Sequence, residues 1–296
     1  YYLIESVAKG EKRIDLSKRG FLIENDAYWW NEGDQFFQTA HQHPSMGFTF
    51  KEPDETDAKA RDVYRTYMDS VENAMWNHTA DLPRLIDFDS WARWVLTHDF
   101  LNDDDVMGSN MFLYVKDFNP QDYTASPLKM GPLWDFDASF RIRNDGVGIR
   151  HDSPFFYFQQ LFKDPRFVDV YNRIYQEVVP DLLEKMRNEM ETFYAANSKA
   201  FDESGALHQL VYGEGECRHT MRFQMDELMD KFEKRVAAMD SLVRSGIPMT
   251  EARSARLLQR MDLSGRNCTN ISPAALQQGI YVDRYSDGTS RKWLKR

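Results

Sequence analysis

Two acidic stretches hold the residues best suited to chemistry. The first is Leu101-Asn102-Asp103-Asp104-Asp105-Val106-Met107-Gly108-Ser109-Asn110, and the second is Gly131-Pro132-Leu133-Trp134-Asp135-Phe136-Asp137. The successive carboxylates of Asp103, Asp104 and Asp105 repel one another, so keeping them all ionised in one loop favours a nearby cation. Magnesium takes one or two carboxylates and fills its other positions with waters and phosphate oxygens. One Asp to take a proton from a hydroxyl, with an Asn and another Asp to hold the metal, is the side-chain set of phosphoryl transfer. A solvated acidic turn is the alternative for the first stretch, and for the second a turn or helix cap formed by Asp135 and Asp137.

The elements around these stretches must position them. A helical period starts near Thr56, with Ala60, Val63, Tyr64, Tyr67, Met68, Val71 and Met75 on one face. A second helix starts at Asp87 or Asp89, either a good N-cap, and buries Trp91, Trp94, Val95 and His98. It runs directly into the first acidic stretch, where His98 serves as a core histidine or orients the loop. Met111–Val115 and Leu128–Trp134 read as strands joined by a turn-rich loop, and pairing them as a hairpin puts both acidic stretches at the same end.

The flanking segments read in the same way. Tyr1–Val7, Gly20–Glu24, Phe36–Gln38 and Gly47–Phe50 are strand candidates. Glu24 and Asp26 fit either a cleft or a solvated surface. Residues 154–245 are helical, with a stripe of Phe167, Val170, Tyr171, Ile174 and Val178 that Pro180 is expected to break. Leu182, Leu183, Met186, Met190 and Phe193 resume it, and Met221 to Met239 supply another. Such Met and aromatic stripes are core rather than a cofactor box. Beyond Gly246-Ile247-Pro248 comes a small β tail with strands at 257–263, 279–283 and 291–294.

Composition sets bounds. The chain has 296 residues, 42% of them hydrophobic and 14% aromatic, enough for one large domain with appendages. A net charge of −10 argues against nucleic acid as a partner and suits a basic protein or a cation. No run of about 18 apolar residues offers a membrane span. Cys217 and Cys268 are too few for a disulfide framework. The chain opens in what reads as the middle of a strand, so further strands and any targeting segment are expected upstream of Tyr1. His41 and His43 alternate as a zinc pair would, but no third ligand stands near them.

The spacing Asp105-x-x-x-x-Asn110 matches the protein-kinase catalytic loop, and Trp134-Asp135-Phe136 after an apolar strand matches the kinase metal-binding turn. The order of parts is also that of a kinase catalytic lobe: helix, acidic loop with Asn, strand, loop, strand, Asp-Phe turn. At these residues the sequence resembles the CotH kinase family, the spore-coat protein H type of atypical protein kinase. Tyr2-Leu3-Ile4-Glu5-Ser6-Val7 resembles the family's Tyr-x-Leu-x-Glu segment, and Gly20-Phe21-Leu22-Ile23-Glu24-Asn25-Asp26 its Gly-(Tyr/Phe)-Leu-x-Glu-x-Asp strand. Asn102-Asp103-Asp104 with Asn110–Tyr114 resembles its Asn-x-Asp loop and following strand, and Trp134-Asp135-Phe136-Asp137 its Trp-Asp-x-Asp motif. Phe162–Phe167 is a further similar stretch.

The resemblance implies an α+β fold: a kinase-like catalytic lobe with a helical C-terminal extension and a small β tail. The implied division is 1–250 for the kinase-like domain and 251–296 for the tail. It further implies ATP and Mg²⁺ or Mn²⁺ as cofactors and a protein Ser/Thr hydroxyl as acceptor. By position Asp104 would be the base, while the simpler kinase spacing selects Asp105. Asn110 and Asp135 would hold metal, Asp137 would be a further ligand or a cap, and Glu5 with Asn110 would bind the cofactor. Two departures stand out: no Gly-rich phosphate loop or Val-Ala-Ile-Lys strand is found, and Arg141 follows Phe140 where the family usually has Gly. A pseudokinase or surface-binding module is therefore a rival, and a carboxylate-pair glycoside hydrolase is another. The tail resembles β tails of secreted or surface proteins of some Gram-negative bacteria, which implies export to the bacterial surface or beyond.

Overall fold

Phe21–Asp26, the first strand (β1), is buried at all six positions in the computed structural model, as expected of a strand covered on both faces. The structure describes residues 6–31, 35–53, 58–103, 105–106, 109–136, 138–139, 154–213, 220–244, 257–262, 266–269, 276–285 and 290–295. Most of the expected Tyr1–Val7 strand, with Glu5, lies outside them, as do Asp104 and Asp137. Ser6 and Val7 belong to no strand.

The chain divides into two compact units, Tyr1–Pro248 and Met249–Arg296. In the first, β2 (Phe36–Phe37), β3 (Gly47–Glu52), β4 (Met111–Val115) and β5 (Lys129–Met130) join β1 in an antiparallel sheet of order β2-β3-β1-β4-β5. Gly20 leads into β1 because a Cβ there would sit 2.9 Å from the Val115 carbonyl oxygen. Helix α1 (Ala58–Trp76) buries Tyr67, Met68, Val71 and Met75, the face its period prescribes. The Tyr64 and Tyr67 rings lie 4.8 and 5.9 Å from Phe21 on β1.

After a short α2 (Leu82–Leu85), α3 (Phe88–Leu101) begins at Asp87, whose side chain accepts the Ser90 backbone N–H. Of the two N-cap candidates, Asp87 is the one used. Trp91, Trp94, Val95 and His98 are all buried, each large apolar side chain contributing about 1.5–3 kcal/mol. The Trp91 indole N–H donates to the Leu128 carbonyl at 3.0 Å, tying α3 to the strand that follows. Asn102 closes α3 in the left-handed conformation, with φ 50°.

The expected hairpin forms, with Leu113 opposite Met130 and Tyr114 opposite Lys129. Its second strand is two residues long rather than the expected Leu128–Trp134. Gly131 has φ 125° and Pro132 has no N–H to give to the ladder, so regular pairing stops there.

Past α4 (Phe158–Leu161), α5 runs unbroken from Pro165 to Tyr212, about 72 Å at 1.5 Å per residue. This corrects the expected break at Pro180. Pro180 is exposed, and the amphipathic face continues on either side, from buried Tyr175 and Val179 to half-buried Leu182 and Leu183. α6 (Met221–Arg244) returns antiparallel, with Tyr175 donating to Asp240 at 2.6 Å and Arg222 pairing with Glu191 at 2.6 Å.

The second unit is an antiparallel sheet of β6 (Leu257–Asp262), β7 (Gly279–Tyr285) and β8 (Ser290–Lys295). Cys268, Leu276 and Tyr281 form its buried cluster. Among the described residues no helix is long and apolar enough to cross a membrane.

Candidate active site

The register of the sheet brings the acidic stretches together. Asn25 lies opposite Met111, so the end of β1 meets the start of β4, just after Asn110. The β4–β5 register puts Gly131 and the residues after it at that same end, and the Gly131 N–H donates to the Phe112 carbonyl at 2.9 Å. α3 delivers Asn102 and Asp103 from the helical side.

Backbone strain concentrates here. Among the described residues the non-glycine positions with positive φ are His78, Asn102, Asn110 and Asp135, the last two at 68° and 55°. All but His78 belong to the acidic stretches. Such a conformation costs on the order of 1–3 kcal/mol, less for Asn and Asp, and recurs where a fold must present a side chain. Asp135 is exposed between anchored aromatics. Trp134 packs on the cluster of Ile14, Leu16, Leu22 and Phe112, while the Phe136 ring lies 5.2 Å from the His98 ring.

Glu24 joins the sheet to this end. It is 8% exposed, and its Oε1 accepts the Asn110 backbone N–H at 3.0 Å. Its Oε2 lies 2.9 Å from the Lys51 ammonium. Lys51 is the extra residue of a β-bulge, since Leu22 faces Glu52 and Ile23 faces Phe50. Bulges re-aim side chains beside functional sites. Lys51 stands in no Val-Ala-Ile-Lys context, so the kinase lysine motif does not point to it. The available signal was a lysine closing the apolar strand Gly47–Phe50 beside a strand that carries a glutamate. Glu24 is thus not on a solvated surface.

Behind the loops lies a second buried pair. His98 and Asp103 are both 0% exposed, with Nδ1 3.4 Å from Oδ2. The other Asp103 oxygen accepts the Asp105 backbone N–H at 3.2 Å. Among the described residues, both His98 ring nitrogens, Asp103 Oδ2 and the Trp94 indole nitrogen are buried without a hydrogen-bond partner. Each such atom costs about 1–3 kcal/mol, so this cluster is a marked local departure from a satisfied core.

Of the candidates from sequence, Asp105, Asn110 and Asp135 fall at this end of the sheet. Asp105 and Asp135 are exposed, and neither carboxylate has an ion pair or hydrogen bond among the described residues. Asp104, Asp137 and Glu5 lie outside the described residues. Among the described residues no three His, Cys, Asp or Glu side chains group to hold a metal by themselves. Among the described residues the side-chain oxygens of Asn110 and Asp135 accept no hydrogen bond, so they would be available to magnesium, which needs only one or two protein carboxylates when phosphate oxygens complete its shell. His41 stacks on Trp76 at 4.2 Å, and His43 Nδ1 lies 2.7 Å from the Ser45 hydroxyl. A cavity of about 210 Å³ opens beside these histidines and Tyr157, and among the described residues no acidic side chain lines it.

A family model described as CotH kinase protein matches residues 1–204. No curated protein and no solved structure matches the chain.

Proposed function

From a chain that belongs to the CotH kinase protein family, we propose an ATP- and divalent-metal-dependent phosphotransferase acting on protein Ser or Thr hydroxyls. The observation that carries this reading is the double engagement of Glu24. One carboxylate binds Lys51 through one oxygen and the Asn110 backbone through the other, at the sheet end where Asp105 and Asp135 stand. A lysine held by a glutamate beside metal-ligating Asn and Asp is the arrangement by which kinases grip and orient phosphates.

The roles follow from the chemistry of each group. Lys51 would neutralise phosphate oxygens, with Glu24 restraining its ammonium. Asn110 and Asp135 would hold the metal, with Asp137 as a further ligand. Asp104, by family position, or Asp105, by spacing, would take the proton of the acceptor hydroxyl. Bound magnesium and ATP would supply the charge-neutralised phosphoryl group.

The test is calorimetric titration of full-length protein with ATP, with and without Mg²⁺, beside Asp135→Ala. Metal-dependent binding that disappears in the variant supports the reading. Absence of binding by folded wild-type protein overturns it in favour of a non-catalytic binding module.

A further inference from the structure

One buried ring touches both acidic loops. His98 sits on α3 with its ring centroid 4.1 Å from Trp94 and 5.2 Å from Phe136, near-parallel to the latter at 18°. Its Nδ1 lies 3.4 Å from Asp103 Oδ2, just beyond ordinary hydrogen-bond range, so a small rotation of either side chain would close the contact. Asp103 in turn holds the Asp105 N–H, and Phe136 directly follows Asp135.

A hydrocarbon side chain would fill the same space without stranding polar atoms. Among the described residues neither His98 ring nitrogen makes a hydrogen bond, and the Asp103 oxygen it faces is in the same condition. Local departures of this kind gather where a fold serves a site rather than its own stability.

We propose that His98 is a positioning residue that couples the two acidic loops. Its Nδ1 sets Asp103 and through it Asp105, while its ring face sets Phe136 and through it Asp135. The distance between proton acceptor and metal ligand then depends on one side chain. The roles of Asp105 and Asp135 rest on the phosphotransferase reading, whereas the coupling rests on the contacts alone.

Two variants separate the contacts. His98→Phe keeps the ring face and removes the nitrogens, whereas His98→Asn keeps a donor near Nδ1 and removes the ring. The readout is hydrogen exchange of the full-length protein. In His98→Phe the amides of Asp105 and Val106 should exchange about tenfold faster, as loss of one polar contact would cause, with Trp134–Phe136 unchanged. In His98→Asn the pattern should reverse. Phe136→Leu, which leaves His98 in place, should reproduce the His98→Asn pattern. Unchanged exchange in both loops, or an even rise across the first unit in every variant, would overturn the coupling and leave His98 a core filler. Nucleotide titration of the wild type reports separately, so its failure would remove the phosphotransferase reading while the exchange pattern still decides the coupling.

Discussion

Asn110, held left-handed at φ 68°, gives its backbone N–H to the Glu24 carboxylate across 3.0 Å. The start of β4 is thereby pinned to a buried acid whose other oxygen meets Lys51. Removing the lysine charge while keeping its stem tests what the pair is for. Lys51→Met should lower MgATP affinity by about ten- to a hundredfold, the loss of one charge-assisted contact. Stability should fall by only about 1 kcal/mol, because Glu24 keeps its bond to Asn110. Calorimetry and urea unfolding on the same variant read the two effects, and an unchanged affinity would remove Lys51 from the phosphate site.

Asp135 combines an exposed carboxylate with φ 55°, so two substitutions at this position separate function from strain. Both Asp135→Ala and Asp135→Gly should abolish metal-dependent nucleotide binding. They should differ in stability, with the glycine variant about 1 kcal/mol the more stable, because alanine is strained at positive φ. Matched urea midpoints for the two variants would show that the left-handed geometry stores no strain at this turn.

Much of this site was legible because its framing elements are local. The period of α3, the N-cap at Asp87 and the β4–β5 pairing follow from short-range pattern, and they suffice to put Asn110 and Asp135 at one end. The Lys51–Glu24 contact was not legible, since it depends on a bulge in the pairing of distant strands, which alternation along one strand does not reveal. The His98–Asp103 approach depends on the left-handed turn at Asn102, where asparagine permits that conformation without requiring it.

Asp164 gives the first unit an acid-sensitive joint. It caps α5, accepting the Arg166 backbone N–H and guanidinium at 3.0 and 2.9 Å. Burial pushes its carboxyl up, but the Arg166 hydrogen bonds outweigh burial and hold it below the ordinary aspartate value. Because the folded value is depressed, the stabilisation is complete above about pH 4, the unfolded aspartate range, and is lost as pH falls through the folded value. Asp164→Asn should therefore be less stable than wild type at pH 6 and should lose less stability between pH 5 and pH 3. Urea midpoints at those pH values check this, and parallel declines would exclude Asp164 as the source.

Pro180 lies inside α5, where it removes one backbone hydrogen bond and crowds the preceding turn. Its exposure means that no core packing is lost on replacement. Pro180→Ala restores the N–H and should gain about 3 kcal/mol of helix propensity, less about 1 kcal/mol for the freer unfolded chain. The net expectation is about 2 kcal/mol of added stability, read as a raised urea midpoint. If the variant is instead destabilised, the chain at this turn is shaped to the proline, and the long helix relies on the ring where propensity alone would remove it.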